Sequence, residues 1–314
     1  MIRIIFMGTP DFSVPALEAL ASQPNIEIPL VVTQPDRPKG RGKKLAPSPV
    51  KARALELGLD VFQPEKLNGP ENAARLKELA PDFFVVVAFG QILSQEILDI
   101  PKRYPINIHA SLLPRYRGAA PIQAAVMNMD KETGVTTMVM ARGMDTGDML
   151  LKAQTPIDPD ETAQDLHDRL AAMGADLIVE TLRQIEQGGL SPEPQDEAKA
   201  TYVSMLKKTD GGIDWSRSAD QIRAHVNAMT PWPGAFSDLD GKRLKIFRAR
   251  PEQTPSRDHA PGQIISCGDE GIRVAAADRT LLITELMGNS GKRMAAGAFL
   301  RGNPIGLPAR FQTP

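Results

Sequence analysis

Continuous apolar runs alternate with segments of helical periodicity along the first half of the chain. Residues 2–7, 28–33 and 83–88 are such runs, rich in Ile, Val and Phe. Strands that lack polar alternation are those covered on both faces of a parallel sheet. Between them, 49–57 and 71–79 carry apolar residues at helical spacing. Ser13-Val14-Pro15 offers a helix cap followed by a proline in the first turn, leading into a helix over 16–21. Residues 133–140 and 149–153 read as later strands, and a long amphipathic pattern from 162 to 187 stops at Gly188-Gly189. This alternation predicts an α/β domain with a Rossmann-like, doubly wound parallel sheet.

The texture then changes. The stretch from Ser191 to Glu197 is rich in proline and acidic residues and reads as an exposed linker. Beyond it, short strands at 244–249, 262–266, 271–275 and 280–286 are separated by Gly and Asp turns. That pattern predicts a small β-barrel. The expected division is a first domain over 1–189, a linker over 190–204 and a barrel domain over 205–314. A length of 314 residues agrees with two domains.

Composition narrows the class. The single cysteine, Cys267, excludes an internal disulfide and any multi-cysteine metal site, and fits a reducing compartment. The longest uninterrupted apolar run, residues 83–89, is far too short to span a bilayer, so no membrane partner is expected. The chain opens directly as a strand with no basic or cleavable leader, which predicts a cytoplasmic location. Nothing in the pattern specifies a dimer interface, and a monomer is expected. The net charge of −1 conceals an asymmetry: residues 205–314 carry 16 Lys or Arg against 11 Asp or Glu, leaving the remainder acidic. A basic part beside an acidic one suggests an anionic macromolecule that touches one region.

The candidate chemistry lies in INIHASLLPRYRG, residues 106–118. Residues two apart on a strand share a face, so Asn107 and His109 point together into one pocket. Ligands of open α/β sheets sit at the carboxyl ends of strands, and this strand ends at His109. Asn and His side by side can hold an oxygen from two sides. A lone histidine is more often structural; the adjacent amide is what lifts His109 above that reading. In Gly143-Met144-Asp145-Thr146-Gly147-Asp148, Asp145 taken alone would be a turn residue, with Asp148 as a rival carboxylate. Gly8 stands alone after the first strand and no G-x-x-x-x-G-K-[ST] occurs, so neither a dinucleotide nor a P-loop nucleotide is indicated. The four histidines are scattered, and no metal site is expected.

The loop over 34–49 holds Arg37, Lys39, Arg41, Lys43 and Lys44 with no acidic residue after Asp36. Most charge runs are solvated surface. A loop of this length without secondary structure of its own is uncommon and often functional, and its cations suit a phosphate backbone.

Together, N-x-H-A-S-L-L-P-R-Y-R-G and M-D-T-G-D resemble the signature of folate-dependent formyltransferases, and the likeness, which includes Gly8-Thr9-Pro10-Asp11-Phe12, extends over nearly the whole chain. It implies an OB-like barrel for the second domain. It places Asp145 beside Asn107 and His109 as a catalytic trio, with 10-formyltetrahydrofolate as formyl donor. Ser111, Leu112, Leu113 and Pro114 would line the folate site, and Phe89, Gly90, Gln91 and Ile92 part of the pterin pocket. In the family, the inserted basic loop engages the acceptor end of initiator tRNA, and Arg41 matches the position that enters the stem. The implied reaction is formyl transfer to the α-amino group of methionyl-initiator-tRNA in translation initiation. Relatives that act on glycinamide ribonucleotide or on amino sugars, or that hydrolyse the donor, could share the trio; the basic loop argues against them. A non-catalytic tRNA-binding module would not need the trio. Asn227-Ala-Met-Thr-Pro-Trp-Pro-Gly-Ala-Phe236 resembles a second-domain signature, and Trp232 reads there as a packing anchor.

Overall fold

The apolar runs of the first half pair with one another. The computed structural model describes residues 1–39, 44–288 and 291–313. Its strands up to residue 203 are β1 (Ile2–Gly8), β2 (Ile26–Val32), β3 (Arg37–Lys39), β4 (Lys44–Ala46), β5 (Val61–Phe62), β6 (Phe83–Val87), β7 (Tyr104–His109), β8 (Arg117–Gly118), β9 (Glu132–Val139), β10 (Met149–Pro156) and β11 (Tyr202–Val203). Seven of them form one sheet in the order β10-β9-β7-β6-β1-β2-β5. The pairs from β5 through β7 are parallel. In β1, both Ile4 and Phe6 and the alternate Ile5 and Met7 are fully buried, so both faces of the sheet are covered, as unbroken apolar strands require.

The sheet departs from the all-parallel expectation at one edge, where β9 runs antiparallel to β7. Between β7 and β9 lies a helix, Pro121–Met127, which belongs to the other compact unit. It does not serve as a crossover, so β9 starts at the edge where β7 ended. The helices Val14–Ala21, Pro49–Glu56, Pro70–Glu78 and Ala163–Glu186 stand where the periodicity put them. Ser13 is the residue before the first of these, but its hydroxyl does not cap the helix. It donates instead to Val87 O at 2.7 Å, tying the turn after β1 to the end of β6.

The two compact units are not contiguous in sequence. The first comprises Met1–Gly118, Thr133–Thr155 and His167–Val203, and the second Ala119–Glu132, Pro156–Leu166 and Ser204–Pro314. The stretch expected as a linker is exposed yet tied to the first unit. Glu193 bridges Met149 through the backbone, and β11 pairs in parallel with β8, placing Tyr202 opposite Arg117.

The second unit is built from β12 (Ala235–Leu239), β13 (Lys242–Pro255), β14 (Gln263–Gly268), β15 (Gly271–Ala275), β16 (Arg279–Met287), β17 (Arg293–Ala295) and β18 (Ala309–Arg310). They form an antiparallel sheet in the order β12-β13-β16-β15-β14-β18, with β17 on β16. Just after β18, Gln312 bridges Asp238 of β12, so the two edges of this half-barrel meet. Trp215 fills its core: the indole is 1% exposed, stacks on Phe311 at 5.4 Å between centroids and donates Nε1–H to Ser237 Oγ at 3.0 Å. Trp232, expected as a packing anchor, is 51% exposed. It lies in a turn, flanked by Pro231 and Pro233, and is not part of the buried core that Trp215 fills. Helix Ala219–Ala228 starts with a capping box, in which Ser218 and Gln221 bond reciprocally. Among the described residues, no helix is long and apolar enough to cross a membrane.

Candidate active site

Strand register decides which side chains enter the site. Antiparallel pairing sets Ile108 opposite Thr137, Asn107 opposite Met138 and His109 opposite Thr136, and directly opposed residues share a face. Thr137 faces the long helix, since its hydroxyl bonds that of Thr181 at 2.9 Å. Asn107 and His109 therefore face the other way. On their side Thr136 fixes the chain beyond the strand: its hydroxyl donates to Ser111 O at 2.7 Å and accepts from Leu113 N at 3.1 Å. A slip of one residue would turn both polar side chains into the helix interface.

The 143–147 loop brings Asp145 to the pair. Asp145 Oδ1 lies 3.5 Å from the Asn107 amide nitrogen, and Oδ2 lies 3.7 Å from His109 Nδ1. The carboxylate is held elsewhere, by the Gly118 N–H at 2.8 Å from Oδ2. Its residue adopts φ of +52°, a left-handed conformation that aspartate tolerates better than most side chains. Two glycines permit the arrangement. A Cβ on Gly147 would overlap Val139 O, and a Cβ on Gly118, whose φ is +109°, would overlap Val203 O. The rival Asp148 is exposed, and its backbone carbonyl bonds Val139 N at 2.8 Å.

His109 is buried, 6% exposed. Its Nε2 lies 2.9 Å from the carbonyl of Tyr116. A carbonyl only accepts, so Nε2 carries a proton and the ring orientation is set from the backbone. Nδ1 is then the ring atom left for chemistry. Both it and the Asn107 amide approach Asp145 at long range. An oxygen seated among the three side chains can therefore take both donors without breaking a tight bond.

The two segments to which the resemblance assigns folate contacts leave neighbouring strands at the same edge. Residues 89–92 follow β6 and residues 111–114 follow β7, and β6 and β7 pair in parallel. Gly90 is exposed with φ of +84°, and Ile92 is 84% exposed. Phe89 is buried in the sheet core, and its carbonyl accepts the Thr9 hydroxyl at 2.8 Å. Gln91 is committed elsewhere: its oxygen accepts Leu67 N–H at 2.8 Å and its nitrogen donates to Pro64 O at 3.1 Å. Its side chain is a brace for residues 64–67, leaving its backbone for any ligand contact. Ser111 is buried and donates to Arg115 O at 2.6 Å; Leu113 packs with Met138 and Met149. Leu112 and Pro114 are half-buried. Of the two segments, only Gly90 and Ile92 are exposed, while 111–114 is buried or half-buried beside the Asn–His pair.

The basic loop is not structureless. β3 and β4 pair antiparallel, with Arg37 opposite Ala46 and Lys39 opposite Lys44. Arg41 and Lys43 lie outside the described residues. The Arg37 guanidinium is exposed, 3.6 Å from Glu65. At the base of the ribbon, Gln63 and Lys51 bond Asp36 and hold its carboxyl below the usual range. Lys51 is thereby paired with Asp36 at 2.8 Å, bracing the base of the ribbon.

Three contributors escaped the sequence reading: the Gly118 N–H, the Tyr116 carbonyl and the Gln195 amide, which donates to the carbonyls of both Asp145 and Gly147. The first two are backbone groups without a sequence signal. Gln195 is 50 residues from Asp145.

The formyl transferase family matches residues 2–182, and its C-terminal domain matches 205–304. The methionyl-tRNA formyltransferase of Citrifermentans bemidjiense is 54% identical over 300 residues, covering 96% of this chain and 93% of that protein. The methionyl-tRNA formyltransferase of Geobacter sulfurreducens is 52% identical over 301 residues, covering 96% and 94%. Among solved structures, the N-formyltransferase from Helicobacter canadensis in complex with folinic acid and dTDP-3-aminofucose aligns with a TM-score of 0.66 at 19% identity, over 90% of this chain and 99% of that one; the likeness is one of fold. Matched in both units and sharing half its residues with such relatives, the chain belongs to the formyl transferase family, among the methionyl-tRNA formyltransferases.

Proposed function

We propose that the chain transfers a formyl group from 10-formyltetrahydrofolate to the α-amino group of methionyl-initiator-tRNA, and that Asn107, His109 and Asp145 carry the chemistry. The observation that carries this reading is the convergence of the Asn107 amide and the free His109 nitrogen on one carboxylate, in a chain half identical to methionyl-tRNA formyltransferases.

The donor supplies the formyl group; the loops 89–92 and 111–114 would hold it. The acceptor amine must be neutral to attack, and α-amino groups titrate at about 7.7–8.0, so a useful fraction is free near neutrality. Negative charge then develops on the formyl oxygen. Asn107 NH2 and the protonated Nδ1 of His109 donate to that oxygen, the kind of preorganised electrostatic stabilisation that contributes most to acyl transfer. Asp145 orients both donors and helps move the proton lost by the amine to the departing nitrogen. No covalent bond to the enzyme is required. Ser111, its hydroxyl committed to Arg115 O, is not a nucleophile. Labelled formyl supplied on the donor should appear as formylmethionine after hydrolysis of the aminoacyl ester; label only in free formate would mean a hydrolase.

Arg37, Lys39, Arg41, Lys43 and Lys44 of the basic segment would bind the acceptor end of the tRNA. Each phosphate contact removed from duplex lowers the salt slope by about 0.9. Replacing Lys39, Arg41, Lys43 and Lys44 by Ser is expected to raise KM for the tRNA by roughly tenfold or more and to flatten its dependence on salt. KM for the folate should stay unchanged. An unaltered tRNA KM and salt slope would remove the ribbon from the binding surface.

A further inference from the structure

We propose that Gln195 is a positioning residue for Asp145, held in its working orientation by the buried guanidinium of Arg117. The proposal rests on the reading of Asp145 as part of the reacting centre. The side chain of Arg117 is fully buried, and a guanidinium offers five N–H donors and no acceptor. All five are used. Nε and Nη2 donate to Gln195 Oε1 at 3.0 and 2.9 Å. Nη1 and Nη2 donate to Glu197 at 3.0 and 2.7 Å, and Nη1 also donates to the Tyr202 hydroxyl at 2.7 Å.

This fixes which way the Gln195 amide points. Only its oxygen can face Arg117, so its NH2 must face the 143–147 loop. There it donates to Asp145 O and Gly147 O, both at 2.7 Å. Those carbonyls can only accept, so the orientation is determined from both ends. The clamp spans the turn that presents the carboxylate, holding the residue at its left-handed φ. From the other side, Gly118 N–H holds Asp145 Oδ2, and Gly118 directly follows Arg117. One buried cation thus organises both contacts that place the carboxylate against Asn107 and His109.

The test uses the full chain and compares kcat, both KM values and melting temperature for Gln195→Glu, Gln195→Met, Glu197→Gln and Asp145→Asn. Gln195→Glu keeps an acceptor for Arg117, and so keeps residues 195–203 in place, but sets a carboxylate against two carbonyls. Gln195→Met removes the donors without charge. Misplacing a reacting group by about 1 Å costs on the order of 100-fold, so both variants are expected to lower kcat by about 10- to 100-fold with both KM values unchanged. Glu197→Gln changes an exposed partner and leaves Arg117 its bonds to Gln195 and the Tyr202 hydroxyl, so it is expected to alter the melting temperature without altering kcat. Gln195→Glu added to Asp145→Asn is expected to cost little beyond Asp145→Asn alone, because groups that act as one unit are not additive. Wild-type kcat in both Gln195 variants overturns the proposal, as does full additivity in the double variant or an equal loss in Glu197→Gln. If Asp145→Asn itself keeps wild-type kcat, the assignment of Asp145 fails; if only the Gln195 variants do, the assignment stands and the positioning role fails.

Discussion

Replacing His109 by Ala is expected to lower kcat for formyl transfer by about 100- to 1,000-fold, the usual effect of removing one preorganised donor to a developing oxyanion. KM for the tRNA and for the folate should change little, because the lost bond forms fully only as charge develops. The local frame should survive. The ring contributes a hydrogen bond from Nε2 to Tyr116 O, but the strand is held independently by its pairing with β6 and β9 and the following turn by Thr136. Asn107→Ala should cost a similar factor. The double variant should cost much less than the product of the two, since both donors serve one oxygen. Stopped-flow or quenched single turnovers at saturating substrates separate this loss from product release. A His109→Ala enzyme with wild-type turnover would refute the mechanism, and a large rise in either KM with unchanged kcat would recast His109 as a binding residue.

Trp215→Ala is expected to destabilise the second unit by about 3–5 kcal/mol, the range for removing a fully buried large aromatic side chain. The indole is the largest fully buried side chain of the chain's described residues. It stacks on Phe311, and its N–H bonds Ser237, whose hydroxyl in turn donates to Gln312 O at 2.6 Å. Those partners lie where the segment after β18 bridges back to β12. The substitution thus removes core volume and the polar tie at the closure of the half-barrel together. Hydrogen exchange should show lost protection in β12, β13 and β16, with the sheet of the first unit unaffected. Trp232→Ala, by contrast, should change stability by no more than about 0.5 kcal/mol, as exposed positions do. Equal effects of the two substitutions would contradict the placement of the indoles.

That pair shows where the sequence was silent. Both tryptophans lie in short motifs with turn residues nearby, and local composition does not say which ring the folded sheet covers. The α/β and barrel textures were legible because burial on both faces writes unbroken apolar runs such as 83–88, and exposure on one face writes short, interrupted ones. The antiparallel edge at β9 was not, since no local pattern says that the helix between β7 and β9 belongs to the second unit. Asn107 and His109 were readable from a spacing of two on one strand. Asp145 was readable only through its motif, because its approach requires a left-handed residue and two close-packed glycines. Gln195 sits in a stretch whose composition says linker; only the fold reveals that its amide is trapped between a guanidinium and two carbonyls. The basic loop was visible as charge, and its strand pairing was hidden by glycines and prolines that lower β-propensity.

The measurement that bears most directly on the whole account is formyl transfer from 10-formyltetrahydrofolate, compared among initiator methionyl-tRNA, elongator methionyl-tRNA and glycinamide ribonucleotide as acceptors. kcat/KM for the initiator is expected to exceed that for the elongator by a wide margin, with no transfer to the small acceptor. Transfer to glycinamide ribonucleotide alone would leave the Asn107–His109–Asp145 chemistry standing and contradict the assignment of the substrate.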